Sequence, residues 1–321
     1  MAQYAHLSEP DPEFAAIAPS SLPPPPDLSA PAALQKHWID TVQPTLWAPV
    51  YKSRLTEDAQ YRVEDHKVPV DDGEIVVRVV TPGSNDLGET FPVIVWFHGG
   101  GWVLGNVDQD DYQLRLMSTE LRAVTVNVDY RTAPEHPYPT PWDDSFAAVK
   151  WVATNAGAMA ADLAKGFVLG GVSAGGNIAA VLAHRVRDDA FFARTPLTGQ
   201  YKSELLSEKQ NDEAPCLNRA LREFFQVQVK APPHDPGFAP LLQPSHAGLP
   251  PAYLQICGLD PLRDEGLLYA RVLREAGIAA KLDVYPGVPH CFNVWTPDIK
   301  LAVKYEADTM SGLKWLLTAG K

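Results

Sequence analysis

Residues 167–177 read FVLGGVSAGGN, a short apolar run that breaks into glycines on both sides of a single serine, Ser173. Glycines after a strand serve two different chemistries. They cradle a phosphate, or they hold a nucleophile on a sharp strand-to-helix turn. Neither G-x-x-x-x-G-K-[ST] nor G-x-G-x-x-G is present and no lysine follows, so the phosphate reading is weak. Gly171-Val172-Ser173-Ala174-Gly175 does fit G-x-S-x-G, where the flanking glycines avoid clashes around a strained serine. That pattern has many chance matches, so its meaning depends on what the remaining chain supplies to the serine.

The stretch sits in a regular alternation. YRVEDHKVPV and EIVVRVV alternate in polarity as half-buried strands and are joined by a turn signal at Asp71-Asp72-Gly73. Shorter, nearly continuous apolar runs follow: PVIVWF, AVTVNV, FVLG, AYLQIC and AKLDVY. Helical stretches at 143–155, 175–187 and 264–276 lie among them. Buried strands alternating with helices predict an α/β fold, a mostly parallel central sheet covered by helices on both faces. Active residues in such a sheet belong on the loops at the carboxyl ends of its strands.

Three of those loops answer the serine. After PVIVWF comes His98-Gly99-Gly100-Gly101-Trp102, read either as a plain glycine turn or as backbone donors for an oxyanion. After AYLQIC comes GLDPLRDE, with Asp260 on the strand exit. Asp264 precedes the helical run and reads as its N-cap, so Asp260 is the acid of a triad. After AKLDVY comes PGVPHCF, which places His290 on a late strand-exit loop. The chain order Ser173, Asp260, His290 is that of α/β-hydrolases. The N–H of Ala174, at the start of the helix after the serine, completes the oxyanion donors. His98 is read as a brace for the glycine loop.

Composition excludes other classes. The chain has 321 residues, 45% apolar and 21% charged, as ordinary globular proteins do. A formal net charge of −12 leaves no excess of Lys and Arg for nucleic acid. Three separated cysteines, Cys216, Cys257 and Cys291, give neither a disulfide framework nor a zinc knuckle. No signal peptide and no apolar stretch near the ~20 residues of a membrane span is visible, so a soluble cytoplasmic protein is expected. In the first sixty residues Asp11-Pro12-Glu13 reads as one helix start and Ser29 with Pro31 as another, through Trp38. The proline run between them is a stiff spacer or a ligand for an SH3-like partner, the spacer being favoured.

The combination resembles the hormone-sensitive-lipase family of carboxylesterases within the α/β-hydrolase fold, in wording closest to fungal members. It rests on HGGGW (98–102), VDYRTAPEHPYP (128–139), GGVSAGGN (170–177), GLDPLRDEG (258–266) and YPGVPHCF (285–292). The resemblance implies a helical cap from residues 1–60, a catalytic domain over 61–321 and a second cap segment at about 190–235. It implies hydrolysis of short- to medium-chain acyl esters, with no metal and no organic cofactor. It places the oxyanion donors on Gly100, Gly101 and Ala174, and gives Tyr130, Arg131 and Glu135 scaffold roles. A small-molecule ester is then the substrate, and a homodimer is compatible. Two rival readings keep other chemistry open. One is an amidase, a deacetylase, or an acyl-transferring or ring-closing tailoring enzyme of secondary metabolism; the other is a ligand-binding receptor.

Two expectations attach to this reading. Turnover through an acyl-enzyme on Ser173 falls as pH drops through the pKa of the base, about 6.5 for an unperturbed histidine. Between Asp189 and Pro250 no segment reads as a buried strand, the nearest candidate being the short, polar PLTGQYKS. A core strand of the sheet is therefore expected to be absent there or replaced.

Overall fold

The computed structural model describes residues 2–22, 26–55, 61–86, 88–203, 207 and 209–318. Its strands are β1 (Tyr61–Val70), β2 (Gly73–Pro82), β3 (Val93–Phe97), β4 (Val124–Asp129), β5 (Phe167–Gly171), β6 (Gly199–Ser203), β7 (Ala252–Cys257) and β8 (Ala280–Tyr285). The helices are α1 (Pro12–Ser21), α2 (Pro31–His37), α3 (Gln43–Lys52), α4 (Asp111–Leu121), α5 (Thr140–Asn155), α6 (Ala174–Asp188), α7 (Arg219–Val229), α8 (Arg263–Glu275), α9 (Phe292–Trp295) and α10 (Lys300–Thr318).

All eight strands join one sheet in the order β1-β2-β4-β3-β5-β6-β7-β8. The alternating N-terminal pair forms an antiparallel hairpin through the Asp71–Asp72 turn, and β2 pairs antiparallel with β4. The short apolar strands are parallel to one another. The chain passes from β3 to β4 on one side, then returns to place β5 on the other side of β3. Ligand sites of open α/β sheets form at such a reversal. Here the strands flanking it carry the glycine loop and the serine.

Both faces of the sheet are covered, which is why its strands are continuously apolar. Val93, Val95 and Phe97 point to the side of α5 and α6, against Val149, Val152, Ile178 and Leu182. Ile94 and Trp96 point the other way, to Leu114 and Met117 of α4 and Leu313 and Leu316 of α10. Further along, Ala180 and Ala183 of α6 meet Leu254 and the α8 residues Tyr269 and Leu273.

The expected gap in the sheet is corrected by the structure. PLTGQYKS contains a strand, β6, lying between β5 and β7 and parallel to both. Its sequence, GQYKS, lacks the apolar run of the equally short β3 and β5, and its buried Gln200 is polar. The amide of Gln200 is satisfied within the layer, Nε2 donating to the Pro250 carbonyl at 3.4 Å and Oε1 accepting from the Tyr269 hydroxyl at 3.3 Å. The first part of the 190–235 interval thus belongs to the sheet, and the helix it contains is α7.

The described residues that precede β1 pack on the sheet domain. Asp11 caps α1 through Oδ1, which accepts from the N–H groups of Glu13 and Phe14, with Pro12 in the first turn. Phe14 is buried against Cys257, Tyr285 and Phe292. The second helix opens at Pro31 with Ala30 at its cap, while Ser29 donates to Asp27. It runs beyond Trp38 through a π-turn, Trp38–Val42, into α3. Gln35 ties it to the loop after β3 and to the 130–139 tract through the Val103 and Ala133 carbonyls, each at 3.0 Å. Most of the proline run, residues 23–25, lies outside the described residues. No helix among the described residues is long and apolar enough to cross a membrane.

Candidate active site

The serine turn is built by its own neighbours. Ser173 lies just past the end of β5 and precedes α6 with φ 55° and ψ −121°, a conformation strained for any residue with a Cβ. A Cβ at Gly175 would stand 1.9 Å from the Phe97 carbonyl oxygen, and one at Gly171 would stand 2.5 Å from the Gly175 backbone. Only glycine at both positions lets the turn close against the end of β3. Ala174 is buried and is the first residue of α6, so its N–H lies at the helix start.

Asp260 and His290 arrive from the ends of β7 and β8. His290 Nε2 lies 2.9 Å from Ser173 Oγ, and Nδ1 lies 2.8 Å from Asp260 Oδ2. An ionised carboxylate only accepts, so Nδ1 carries the proton and Nε2 faces the serine hydroxyl as an acceptor. Asp260 is fully buried and His290 nearly so. The second carboxylate oxygen accepts from the Leu262 N–H at 2.7 Å, and Asn211 Nδ2 donates to the Asp260 carbonyl at 2.8 Å. The structure thus brings all three residues into one hydrogen-bonded row. Asp264 is not the helix cap: Leu262 occupies that position. Asp264 sits in the first turn of α8, its carboxylate accepting from Arg263 Nε at 2.8 Å.

The glycine loop lies against the serine turn. A Cβ at Gly99 would be 3.2 Å from Val172 and 3.5 Å from Ser173 Cβ. Gly100 and Gly101 have φ of 114° and 62°, open to glycine at no steric cost. The Gly100 carbonyl accepts from Val103 and Leu104, which folds the loop into a turn. Gly101 also admits the ring of Phe225 on α7: an added Cβ would meet ring carbons at 2.3–2.5 Å. Trp102, next in the chain, borders a wall with Trp142 and Phe238 at centroid distances of 5.5 and 5.2 Å.

His98 is a brace. Its ring is fully buried and stacks on Tyr130 at 4.2 Å, with Nδ1 2.8 Å from the Gly99 carbonyl oxygen. The Tyr130 hydroxyl donates to the His98 carbonyl at 2.8 Å. Burial lowers the imidazole pKa to about 4, so the ring is neutral at pH 7. Arg131 is held in a fork by buried Asp144, at 2.8 and 2.7 Å. Glu135 meets Gln35 Nε2 at 3.3 Å. No group of three or more His, Cys, Asp or Glu side chains among the described residues is placed to hold a metal ion.

Several supporting residues had no signal in the sequence. Asn211, Ser8, Gln210 and Phe225 reach the site loops from distant parts of the chain. The amphipathic pattern of α7 marks a helix, yet nothing in it indicates that Phe225 rests on Gly101.

Fold and site together define an α/β-hydrolase, and comparison with known proteins agrees. A family model described as alpha/beta hydrolase fold matches residues 94–294. The chain is 37% identical to an AB hydrolase superfamily protein of Schizosaccharomyces pombe, B1A11.02, over 80% of each chain. It is 35% identical to the carboxylesterase NlhH of Mycobacterium tuberculosis, over 81% of this chain and 84% of that one. Among solved structures it is similar to vibralactone cyclase, with TM-score 0.93 and 39% identity over 98% and 96% of the two chains. The chain belongs to the hormone-sensitive-lipase-type carboxylesterases of this fold and is a serine hydrolase.

Proposed function

We propose that this carboxylic ester hydrolase cleaves short- to medium-chain acyl esters of small molecules through an acyl-enzyme on Ser173. The observation that carries the reading is the row Asp260–His290–Ser173, with contacts of 2.8 and 2.9 Å. His290 takes the hydroxyl proton as Ser173 attacks the ester carbonyl. Asp260 fixes the imidazole tautomer and stabilises the imidazolium. The backbone N–H groups of Gly100, Gly101 and Ala174 receive the oxyanion; losing one such donor typically costs about 3–4 kcal/mol of transition-state stabilisation. His290 then protonates the departing alcohol, and water releases the acid by the same route.

The cap in this reading is formed by residues 1–60 and by the segment ending in α7, with the Phe225 ring on Gly101 as its supporting contact. Residence in a reducing compartment is supported by the sequence, whose three cysteines are few and widely separated. Ser173→Ala is expected to lower aryl acetate turnover on the order of 10⁴-fold or more. Near-wild-type rates remove the assignment. A panel of aryl esters of about two to twelve acyl carbons measures the pocket.

A second reading is favoured by one comparison, the similarity to vibralactone cyclase over nearly the whole chain. The same acyl-enzyme can pass its acyl group to a hydroxyl instead of water, giving an acyl-transfer or ring-closing product. Product analysis with and without competing alcohols separates the two: an ester or lactone formed faster than free acid favours transfer.

A further inference from the structure

The loops that carry Asp260 and His290 are crossed by a segment from the other end of the chain. Residues 2–8 form a 3₁₀ helix, and the backbone continues through Glu9 and Pro10 to the cap of α1. Leu7 and Asp11 grip Gly287 from both sides. The Gly287 N–H donates to the Leu7 carbonyl at 2.8 Å, and the Asp11 N–H donates to the Gly287 carbonyl at 2.9 Å. The approach is possible only at glycine: a Cβ on Gly287 would stand 2.3 Å from both Asp11 N and Glu9 O. Gly258 shows the same feature on the other loop, where a Cβ would stand 2.1 Å from the Leu7 oxygen.

Ser8 joins the segment to the aspartate loop. Its hydroxyl donates to the Gly258 carbonyl at 3.2 Å and accepts from Arg263 Nη1 at 2.7 Å. Arg263, fully buried, also donates to the Gly258 carbonyl at 3.0 Å and to Gln210 Oε1 at 2.8 Å. Gln210 returns a bond to the Ala5 carbonyl at 3.0 Å, and its neighbour Asn211 holds the Asp260 carbonyl. The two loops touch directly through Leu259 N–H and the Val288 carbonyl at 3.0 Å. They also touch through the Gly258 N–H and the Tyr285 carbonyl at 2.7 Å and through the Asp260–His290 contact itself, and the remaining contacts described here run through residues 5–11, Gln210–Asn211 or Arg263.

We propose that residues 2–11 act as a strap that sets the spacing between the aspartate and histidine loops, with Ser8 a positioning residue for the triad. The inference rests on the serine-hydrolase mechanism proposed above. The strap touches neither substrate nor reacting atoms; it acts through the Asp260–His290 contact. A displacement near 1 Å at a catalytic contact costs on the order of 10²-fold in rate, so a strap that fixes two loops bears on kcat while leaving substrate binding intact.

The test compares the full chain with a variant lacking residues 2–8, with Ser8→Ala, with Ser8→Thr and with His6→Ala, an exposed strap side chain. Measured are kcat and KM for an aryl acetate across the pH range of histidine titration, the labelling rate of Ser173 by a fluorophosphonate, and the unfolding midpoint. The deletion is expected to lower kcat and labelling together, on the order of 10- to 100-fold, with KM nearly unchanged and the acid limb of the pH profile displaced. Ser8→Ala shows a smaller loss, Ser8→Thr recovers it by keeping the hydroxyl, and His6→Ala changes nothing. A folded deletion variant with unchanged kcat and pH profile overturns the proposal. If the deletion does not fold, the serine pair decides, and Ser8→Thr no better than Ser8→Ala overturns it. Turnover surviving Ser173→Ala is a different result, which removes the serine mechanism. Loss of turnover in Ser173→Ala beside an unaffected strap variant removes the strap alone.

Discussion

The two halves of the proposed triad are held in different ways. Ser173 is placed by backbone sterics: Gly171 and Gly175 close on each other and on the Phe97 carbonyl at the end of the adjoining strand. Asp260 and His290 are placed by partners far away in the chain. Ser8 reaches Gly258 across 250 residues, and Arg263 reaches Ser8 across 255. A nucleophile on a strained turn needs rigidity, which local backbone geometry supplies. An acid and a base on separate loops need a common reference; the Leu259–Val288 bond joins the loops directly, and a third segment, residues 5–11, adds contacts to both. One half is a motif and the other is an assembly.

Three substitutions sharpen this contrast. Asp260→Asn has the largest expected effect. It keeps an acceptor for the Leu262 N–H but loses the tautomer control of His290, so kcat falls on the order of 10⁴-fold with little change in unfolding midpoint. A loss below about tenfold would show that the loops, not the carboxylate, orient the imidazole.

Gly175→Ala tests the local half. The new methyl meets the Phe97 carbonyl at 1.9 Å, and backbone must move to admit it. Kinetics and urea unfolding are expected to show about 10²-fold lower kcat and about 1–3 kcal/mol lower stability. Normal activity would mean that the serine turn tolerates more movement than its strain implies.

The third test concerns the brace behind the glycine loop and reads stability rather than rate. His98 has a folded pKa near 4 against 6.5 unfolded, because burial disfavours its charged form. Between those values the unfolded chain binds the extra proton, so this contribution is fully present above pH 6.5 and is lost as pH falls towards 4. The loss amounts to about 3 kcal/mol. Urea titrations of the parent and of His98→Asn over that window measure it as a difference in slope. Parallel slopes would show that the ring titrates normally.

How far the sequence was legible follows the same division. The hairpin, the parallel strands and α5, α6 and α8 show as apolar periodicity because burial on both faces demands it. The triad residues show because each follows such a strand at its exit. Asp11 and Pro12 mark the start of α1 correctly, since a cap is a local hydrogen bond. Asp264 misleads for the opposite reason: a carboxylate at a helix start suits the cap or the first turn, and only the backbone tells which. Ser8, Gln210, Asn211 and Phe225 carry no pattern, because their partners lie in other parts of the chain. The 190–250 interval was opaque because β6 has no apolar run and Gln200 stands where periodicity looks for an apolar residue.

That strand has a consequence beyond filling the sheet. β6 shares only two paired residues with β5, so apolar side chains do little to tell its correct alignment from a neighbouring one. Gln200 supplies the distinction. Its amide meets the Pro250 carbonyl and the Tyr269 hydroxyl only in the observed alignment; a slip of one residue turns it towards the opposite face and breaks both contacts. β6 is thereby matched by chemical identity where its neighbours are matched by shape, and an error in its placement is penalised by an unsatisfied polar group.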